Sequence, residues 1–287
     1  MKPVKREKRA ALAAVMPMYV FTVSFILGPL VYMLIMSFLT RGEQWGITSQ
    51  VTFRNYLHIL EPVYLETFKQ SIRLAFISTI FTALAGYPAG YFMAKLPRRQ
   101  RERCMLLLII PFWTSSLMRM YGWIIMFRAN GSLDTLLIAL HITDKPLKLL
   151  YTYPAVTVGM IYALLPFMIY SVYASAEKMD WGLLEAARDL GASSLKAFLT
   201  VSFPLTMPGL YSGIVLTFIP SMGLFFIADI LGGNKVVLVG NLIQEQLMRV
   251  HDWPFAAALS VILMILTTLF LFLYRKLFHS DKLEGLV

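Results

Sequence analysis

An all-α integral membrane protein of six spans follows from three observations on the sequence. The 287 residues are 58% hydrophobic and only 15% charged, with a mean hydropathy of +0.66. A water-facing domain carries about 25% charged residues and about 45–50% apolar ones, so too few charges remain here to solvate a surface. The apolar residues form continuous runs with no alternation, which argues for spanning helices over a strand barrel. Lys and Arg then gather beside alternate ends of those runs, the pattern that orients spans in a bilayer. What remains between the runs is too short to fold alone, so residues 11–287 read as a single membrane domain behind a basic tail, residues 1–10.

A helix crosses the hydrocarbon core in about 20 residues. The first run, Ala11–Leu39, is too long for a secretory leader and reads as an uncleaved span. It is followed by Thr52–Leu60, where Phe53, Tyr56, Leu57 and Leu60 fall at helical spacing. That spacing predicts a short amphipathic helix acting as a packing lid on the outer face. The second and third spans are Ile72–Ala94 and Met105–Phe127, separated by a basic turn. The fourth is Tyr153–Ala176. The fifth, Pro208–Leu231, holds Pro220 and Gly223, which predict a local break near mid-membrane. The sixth is Pro254–Leu277. With the N-terminus inside, sixteen of the 26 Lys and Arg fall on the cytoplasmic side and nine on the outer side; Arg119 lies in a span. Both termini are therefore expected to be cytoplasmic.

The formal charge of +10 does not imply nucleic acid, because the basic residues flank apolar spans and form no aromatic-interleaved patch. Cys104 is the single cysteine, so an internal disulfide is excluded and a buried thiol is expected. The four histidines, His58, His141, His251 and His279, are too dispersed in sequence to suggest a metal cluster. No G-x-x-x-x-G-K-[ST], H-E-x-x-H or G-x-S-x-G occurs, so this chain offers no phosphate cradle and no familiar hydrolase centre. It is read as a non-enzyme.

Between the fourth and fifth spans the chain turns polar: "LLEAARDLGASSLKAFLTVSFPLTMPG", Leu183–Gly209. Asp180 is placed to cap a helix starting near Trp181, with Leu183, Leu184, Ala187 and Leu190 on its apolar side. Gly191 supplies the permissive backbone that ends it. Ser193 is placed to cap a second helix, and Pro204 and Pro208 are expected to close the unit, giving a cytoplasmic helix-turn-helix over about 178–204. The polar residues mix acids and bases, where a helix lying on anionic lipid is rich in Lys and Arg. A protein groove suits that mixture better.

Glu185-Ala186-Ala187, then three residues, Gly191, nine residues, and "VSFP" ending at Pro204 resemble the EAA motif of bacterial ABC importer permeases, EAA-x3-G-x9-I-x-LP, with Val201 and Phe203 in place of Ile and Leu. In that family the motif forms the helix that couples to an ATPase. The resemblance implies an ABC importer type I architecture with six spans. It also implies a coupling set of Leu183, Leu184, Glu185, Ala186, Ala187, Arg188, Leu190, Gly191 and Pro204. "IIPFWTSSLMRMYGW", "FIADILGGNKVVLVGNLI" and "DWPFAAALS" are further similar to the polyamine (spermidine/putrescine) branch of those permeases. The implied partners are a second homologous permease, an ATPase subunit dimer holding ATP and Mg, a periplasmic polyamine-binding protein and membrane lipid; no cofactor is expected on this chain and no nucleic acid.

Two ionisable residues lie inside spans, Arg119 and Asp229, and such residues face a protein interior or an aqueous path. A path for a flexible polycation needs carboxylates for its ammonium groups and aromatic faces for both charges and stems. Asp229 supplies the first; Trp113, Tyr121, Phe225 and Phe226 are candidates for the second. The alternative is a structural ion pair between Asp229 and Arg119, with the aromatics as packing. Glu245 and Asp252, in the last outer loop, are candidates for drawing in a cation or touching a docked binding protein, or else are solvated loop charges. Two rival functions stay open: an importer for sulfate, phosphate, iron or thiamine, and an ion-driven secondary transporter, which calls for inverted halves and several intramembrane acids.

Overall fold

The computed structural model describes residues 15–42 and 46–278; the basic tail at residues 1–10, the start of the first span and His279 lie outside them. Helix α1, Val15–Ser37, matches the first predicted span and carries a π segment at Val23–Leu27. Strands β1 (Leu39–Arg41) and β2 (Ile47–Val51) pair antiparallel, Arg41 opposite Ile47, and were not expected. Helix α2, Arg54–Ile59, replaces the expected amphipathic lid. Helix α3 is Pro62–Lys95. Helix α4, Arg98–Ile109, tightens into a 3₁₀ turn, Ile110–Trp113, and α5 (Ser116–Phe127) and α6 (Ser132–Ala139) follow. Helices α7, Tyr153–Glu177, and α8, Gly182–Asp189, come next. Helix α9 runs from Ser194 to Gly223, and α10, Phe225–Ile227, continues as a π turn, Ala228–Gly232. Helices α11, Val239–Glu245, and α12, Trp253–Phe278, complete the chain.

Two expectations about the course of the helices change. The third span, Met105–Phe127, is not one helix: Arg98–Trp113 and Ser116–Ala139 meet at a bend of 94°. Five helices are long and apolar enough to cross a membrane, or six if that bent pair is one span. The second arm of the polar elbow is not a separate helix either. It runs without a stop into the fifth span, so Pro204 and Pro208 lie within α9. The helix passes them because it widens first: Phe198–Ser202 is a π turn in which Phe203 N–H reaches back to Phe198 O. That widening makes room where a proline ring would otherwise crowd the carbonyl four residues earlier.

The described chain forms two compact units. One comprises residues 15–42, 46–64 and 242–268. In it, Asn55 Nδ2 donates to Ser37 O and Leu39 O, each at 2.9 Å, and the Tyr56 hydroxyl meets Ser37 Oγ at 2.6 Å. These bonds anchor α2 by its polar residues, with Ile59 as its buried apolar contact. Phe53, Leu57 and Leu60 stay exposed, so the helix exists but its apolar stripe does not pack as a lid.

The other unit, residues 65–241 and 269–278, holds the core. Leu74, Met120, Val156, Met160, Ile227 and Leu231 are fully buried in one cluster; Tyr91, Met168, Val172 and Ala176 anchor a second. Helix α7 is the axis of this unit, with α3 and α9 laid along it. Small residues permit the approach: a Cβ at Gly90 would stand 2.6 Å from Ile169 O, and one at Gly209 would stand 2.5 Å from Ser171 O. In lipid, where apolar surface gives little drive to associate, such close backbone contact is what binds helices together. Cys104 is half-buried against the second cluster, not fully enclosed.

Candidate functional site

The elbow at Gly182–Gly191 is built from local chemistry. Asp180 Oδ1 accepts the Gly182 N–H at 2.9 Å, holding the chain as it turns out of α7. At the other end Gly191 has φ +87°, a left-handed conformation that costs an L-residue about 1–2 kcal/mol. Gly191 N–H donates to Arg188 O (2.9 Å) and Ala192 N–H to Ala187 O (3.1 Å), the paired closing bonds of a Schellman stop. Nothing stands within 4 Å of where a Gly191 Cβ would sit, so the demand for glycine is conformational and not steric. Ser193 Oγ then accepts the Lys196 N–H at 3.3 Å and starts α9.

The apolar residues of this elbow divide between two roles. Leu184 is 6% exposed and belongs to the chain's own packing, so it is not free to enter a partner. Leu190 is 90% exposed, and Leu183 is also exposed. Glu185, Ala186, Arg188 and Gly191 are exposed and Ala187 half-buried. Pro204 is exposed on α9, just after the π turn gives way to regular α-helix at Phe203. The elbow's base is fastened to the spans: Trp181 lies 5.6 Å from Tyr91, whose hydroxyl donates to Ser202 Oγ at 3.0 Å, and the Tyr87 hydroxyl meets Thr206 Oγ1 at 2.7 Å. Arg101 and Glu177 pair at 3.0 Å and tie α4 to the end of α7. Force applied to the exposed leucines would therefore reach α3, α7 and α9 through short, directional contacts.

The second group of predicted residues surrounds the break in the fifth span. Helix α9 ends at Gly223, where Leu224 takes φ −77°, ψ 61°, and the chain resumes as α10. Asp229 sits on the π turn that follows and is exposed. It does not pair with Arg119. Instead, Asn241 Nδ2 donates to Asp229 Oδ1 and, at 3.0 Å, to Phe225 O, while Asn241 Oδ1 accepts the Leu238 N–H at 3.0 Å. Asn241, 9% exposed, thus latches three points of the broken segment. The sequence reading passed over it; a lone amide in "VVLVGNLI" was the available signal, because buried polar groups in lipid need partners. Phe225 and Phe226 are half-buried, Phe226 against the core cluster. Trp113, 80% exposed, and Tyr121, also exposed, lie on either side of the bend between α4 and α5.

Arg119 has a different task from the counter-ion expected of it. Its Nη1 donates to Pro111 O and, at 2.7 Å, to Thr114 O, and its guanidinium lies 5.6 Å from the centre of the Phe112 ring. Where the helix breaks, carbonyls lose their regular intrahelical donors. Arg119 supplies one to Thr114 O and a further one to Pro111 O, which also accepts the Thr114 N–H at 3.2 Å and the Thr114 hydroxyl at 2.8 Å. Of the outer acids, Glu245 is exposed at the end of α11. Asp252 Oδ1 accepts the Phe255 N–H at 3.0 Å, which makes it a helix cap for α12 and not a free loop charge.

Comparison with known proteins places this arrangement in a class. Residues 86–280 match the family described as "Binding-protein-dependent transport system inner membrane component". The chain is 43% identical over 254 residues, 88% of its length and 92% of the relative's, to the spermidine/putrescine transport system permease protein PotB of Escherichia coli (strain K12). It is 41% identical over 252 residues, 88% of each chain, to the protein of the same name from Haemophilus influenzae. The chain belongs to the binding-protein-dependent inner membrane transport components, and so is a multi-pass permease subunit of an ABC importer. A crystal structure of a bacterial ABC transporter that imports the acidic polysaccharide alginate shares its fold, with a TM-score of 0.78 at 13% identity, over 96% of this chain and 98% of the other. The same transporter in complex with an alginate-bound periplasmic protein also gives 0.78.

Proposed function

We propose that this subunit imports polyamines of the spermidine and putrescine class, in a complex with a second, PotC-like permease, an ATPase subunit dimer carrying ATP and Mg, and a periplasmic polyamine-binding protein. Both termini and the elbow then lie on the cytoplasmic side, in line with the sixteen-to-nine division of basic residues. The observation that carries the reading is the pairing of an exposed-leucine elbow with an exposed carboxylate, Asp229, at the break of the same helical run. The elbow docks in a groove of the ATPase through Leu183 and Leu190, and Glu185 and Arg188 set its register by charged hydrogen bonds, worth roughly 1.5–3 kcal/mol each. Movement of the ATPase dimer is passed into α7 and α9, and the segment beyond Gly223 shifts with it.

At that segment Asp229, oriented by Asn241, receives an ammonium group, and Phe225, Phe226, Trp113 and Tyr121 offer apolar and aromatic surface to the methylene stems. With Arg119 committed to carbonyls, the Asp229 charge is left for cargo, which favours a cation over sulfate or phosphate. Glu245 stands at the outer mouth or against the docked binding protein. Competition uptake in cells carrying the whole importer tests this: excess spermidine or putrescine suppresses labelled spermidine import, and sulfate and phosphate leave it unchanged. Suppression by an anion, or uptake that survives ATP depletion, overturns the reading.

A further inference from the structure

Beside the elbow, α3, α8 and α9 enclose a groove of about 600 Å³. Its floor is apolar, formed by Tyr91, Phe198, Leu199 and Phe203, and two cations, Lys95 and Arg188, stand in its lining. Lys95 is held in a cage of rings: its Nζ lies 4.5 Å from the centre of Tyr91, 5.3 Å from Trp181 and 5.6 Å from Phe92. Among the described residues, no carboxylate pairs with Lys95 or Arg188, although Arg98 and Arg101 in the first turn of the neighbouring helix α4 both have acid partners. The floor includes part of the π turn of α9, Phe198 and Leu199, a feature common at functional sites. Exposed apolar side chains run along α3 into the groove, Phe81, Leu84 and Phe92 at helical spacing. The groove is therefore continuous with a face of a spanning helix.

We propose that this groove binds one anionic phospholipid, its phosphate between Lys95 and Arg188 and an acyl chain along Tyr91, Phe198 and Leu199. The charge pattern selects the occupant. Two unpaired cations above an apolar trough fit a group that is anionic at one end and hydrocarbon at the other, and basic pockets between spanning helices bind acidic head groups. The volume lies within the roughly 300–1,000 Å³ usual for small-molecule sites. The assignment requires α3 and α9 to span a bilayer and does not require that the elbow dock on an ATPase or that the cargo be a polyamine. A lipid here touches the elbow through Leu184 and Arg188, and so joins the lipid composition of that leaflet to the element proposed to receive force.

The test is native mass spectrometry of the purified importer complex, titrated in detergent with phosphatidylglycerol, with phosphatidylcholine or with inorganic phosphate. One phosphatidylglycerol is retained in preference to phosphatidylcholine, and inorganic phosphate does not displace it. Lys95→Gln weakens phosphatidylglycerol about fivefold, the effect of one cation near a lipid phosphate, and Lys95→Arg restores it. Leu199→Trp, which fills the trough, weakens both lipids while leaving the complex intact on gel filtration. Equal retention of the two lipids, no change in Lys95→Gln, or displacement by phosphate alone overturns the proposal. So does a photoreactive side chain at position 199 that captures the ATPase polypeptide instead of lipid.

Discussion

The elbow at Gly191 and the bend before Ser116 are both places where a helix stops and the chain changes direction, yet they are held by different means. At Gly191 the instruction is local: a left-handed glycine and two backbone bonds inside six residues, with open space around it. At Thr114 and Ser115 neither residue has a positive φ; the Thr114 N–H and hydroxyl close back onto Pro111 O, and a side chain from the next helix, Arg119, donates to both Thr114 O and Pro111 O. The first turn lies in a polar stretch of the sequence, suited to a surface where stray carbonyls are solvated anyway. The second lies in a run apolar enough to sit in lipid, where an unmet carbonyl costs several kcal/mol and a charged donor is worth its own desolvation. A polar elbow can therefore be set by one glycine, whereas an intramembrane bend needs a dedicated cation.

That difference gives a graded set of expectations. The largest effect belongs to Gly191→Pro and Glu185→Lys. Proline fixes φ near −65° and removes the N–H that bonds to Arg188 O, and lysine reverses the charge proposed to set register. Both abolish uptake, by more than a hundredfold, with membrane insertion intact by protease accessibility; near-normal uptake in either would dissolve the contrast. Arg119→Leu comes next and acts on stability. Two charged hydrogen bonds at roughly 1.5 kcal/mol or more each make about 3 kcal/mol, a fall of roughly 6–12 °C in Tm by differential scanning fluorimetry. Should Arg119→Leu melt with the parent, the bend is held by something other than this cation.

Asn241→Leu has a smaller structural effect and a sharper functional one. It orphans Leu238 N–H at a cost of roughly 1–3 kcal/mol, leaves Phe225 O with only the Ala228 N–H, and frees Asp229 from its latch. We expect the KM for spermidine uptake to rise at least tenfold while Tm drops by only a few degrees; a matched loss of Tm with unchanged KM would make Asn241 a purely structural residue. Smallest is Gly191→Ala, limited to the strain of a left-handed alanine at about 1–2 kcal/mol. It lowers coupling efficiency, measured as spermidine moved per ATP consumed by the reconstituted importer, without unfolding the permease. A defect as severe as that of the proline variant would mean that the space around Gly191 is filled in the assembled complex.

The sequence was readable wherever the physics was local or bulk. Continuous apolar runs located five of the spans, although the helix of the second begins at Pro62 instead of Ile72 and that of the fifth runs Ser194–Gly223 instead of Pro208–Leu231. Gly191 marked a helix end because its left-handed backbone favours glycine. Reading failed where one side chain answers a distant need. Met105–Phe127 looked like one span because nothing in its composition announces that Arg119 turns back onto Pro111 and Thr114. Pro204 looked like a terminator because proline usually is one, and the π turn at Phe198–Ser202 that carries the helix past it leaves no mark in apolar spacing. Thr52–Leu60 shows the same limit: of the stripe Phe53, Tyr56, Leu57 and Leu60 only Tyr56 is tied down, through its hydroxyl, and α2 is otherwise anchored by Asn55, a residue an amphipathic reading assigns to water. Asn241 was passed over because a single amide in a valine-rich stretch carries no period at all.

The account rests on the division of the elbow's leucines into one set kept by the permease and one offered to a partner. With Cys104 replaced by serine, single cysteines at positions 190 and 184 are to be treated with a short bifunctional maleimide in membranes containing the whole importer. The account predicts that a cysteine at 190 joins the ATPase subunit and that one at 184 does not react until the protein is denatured. Adducts from 190 that contain only lipid, or equal capture of the ATPase from both positions, would contradict it.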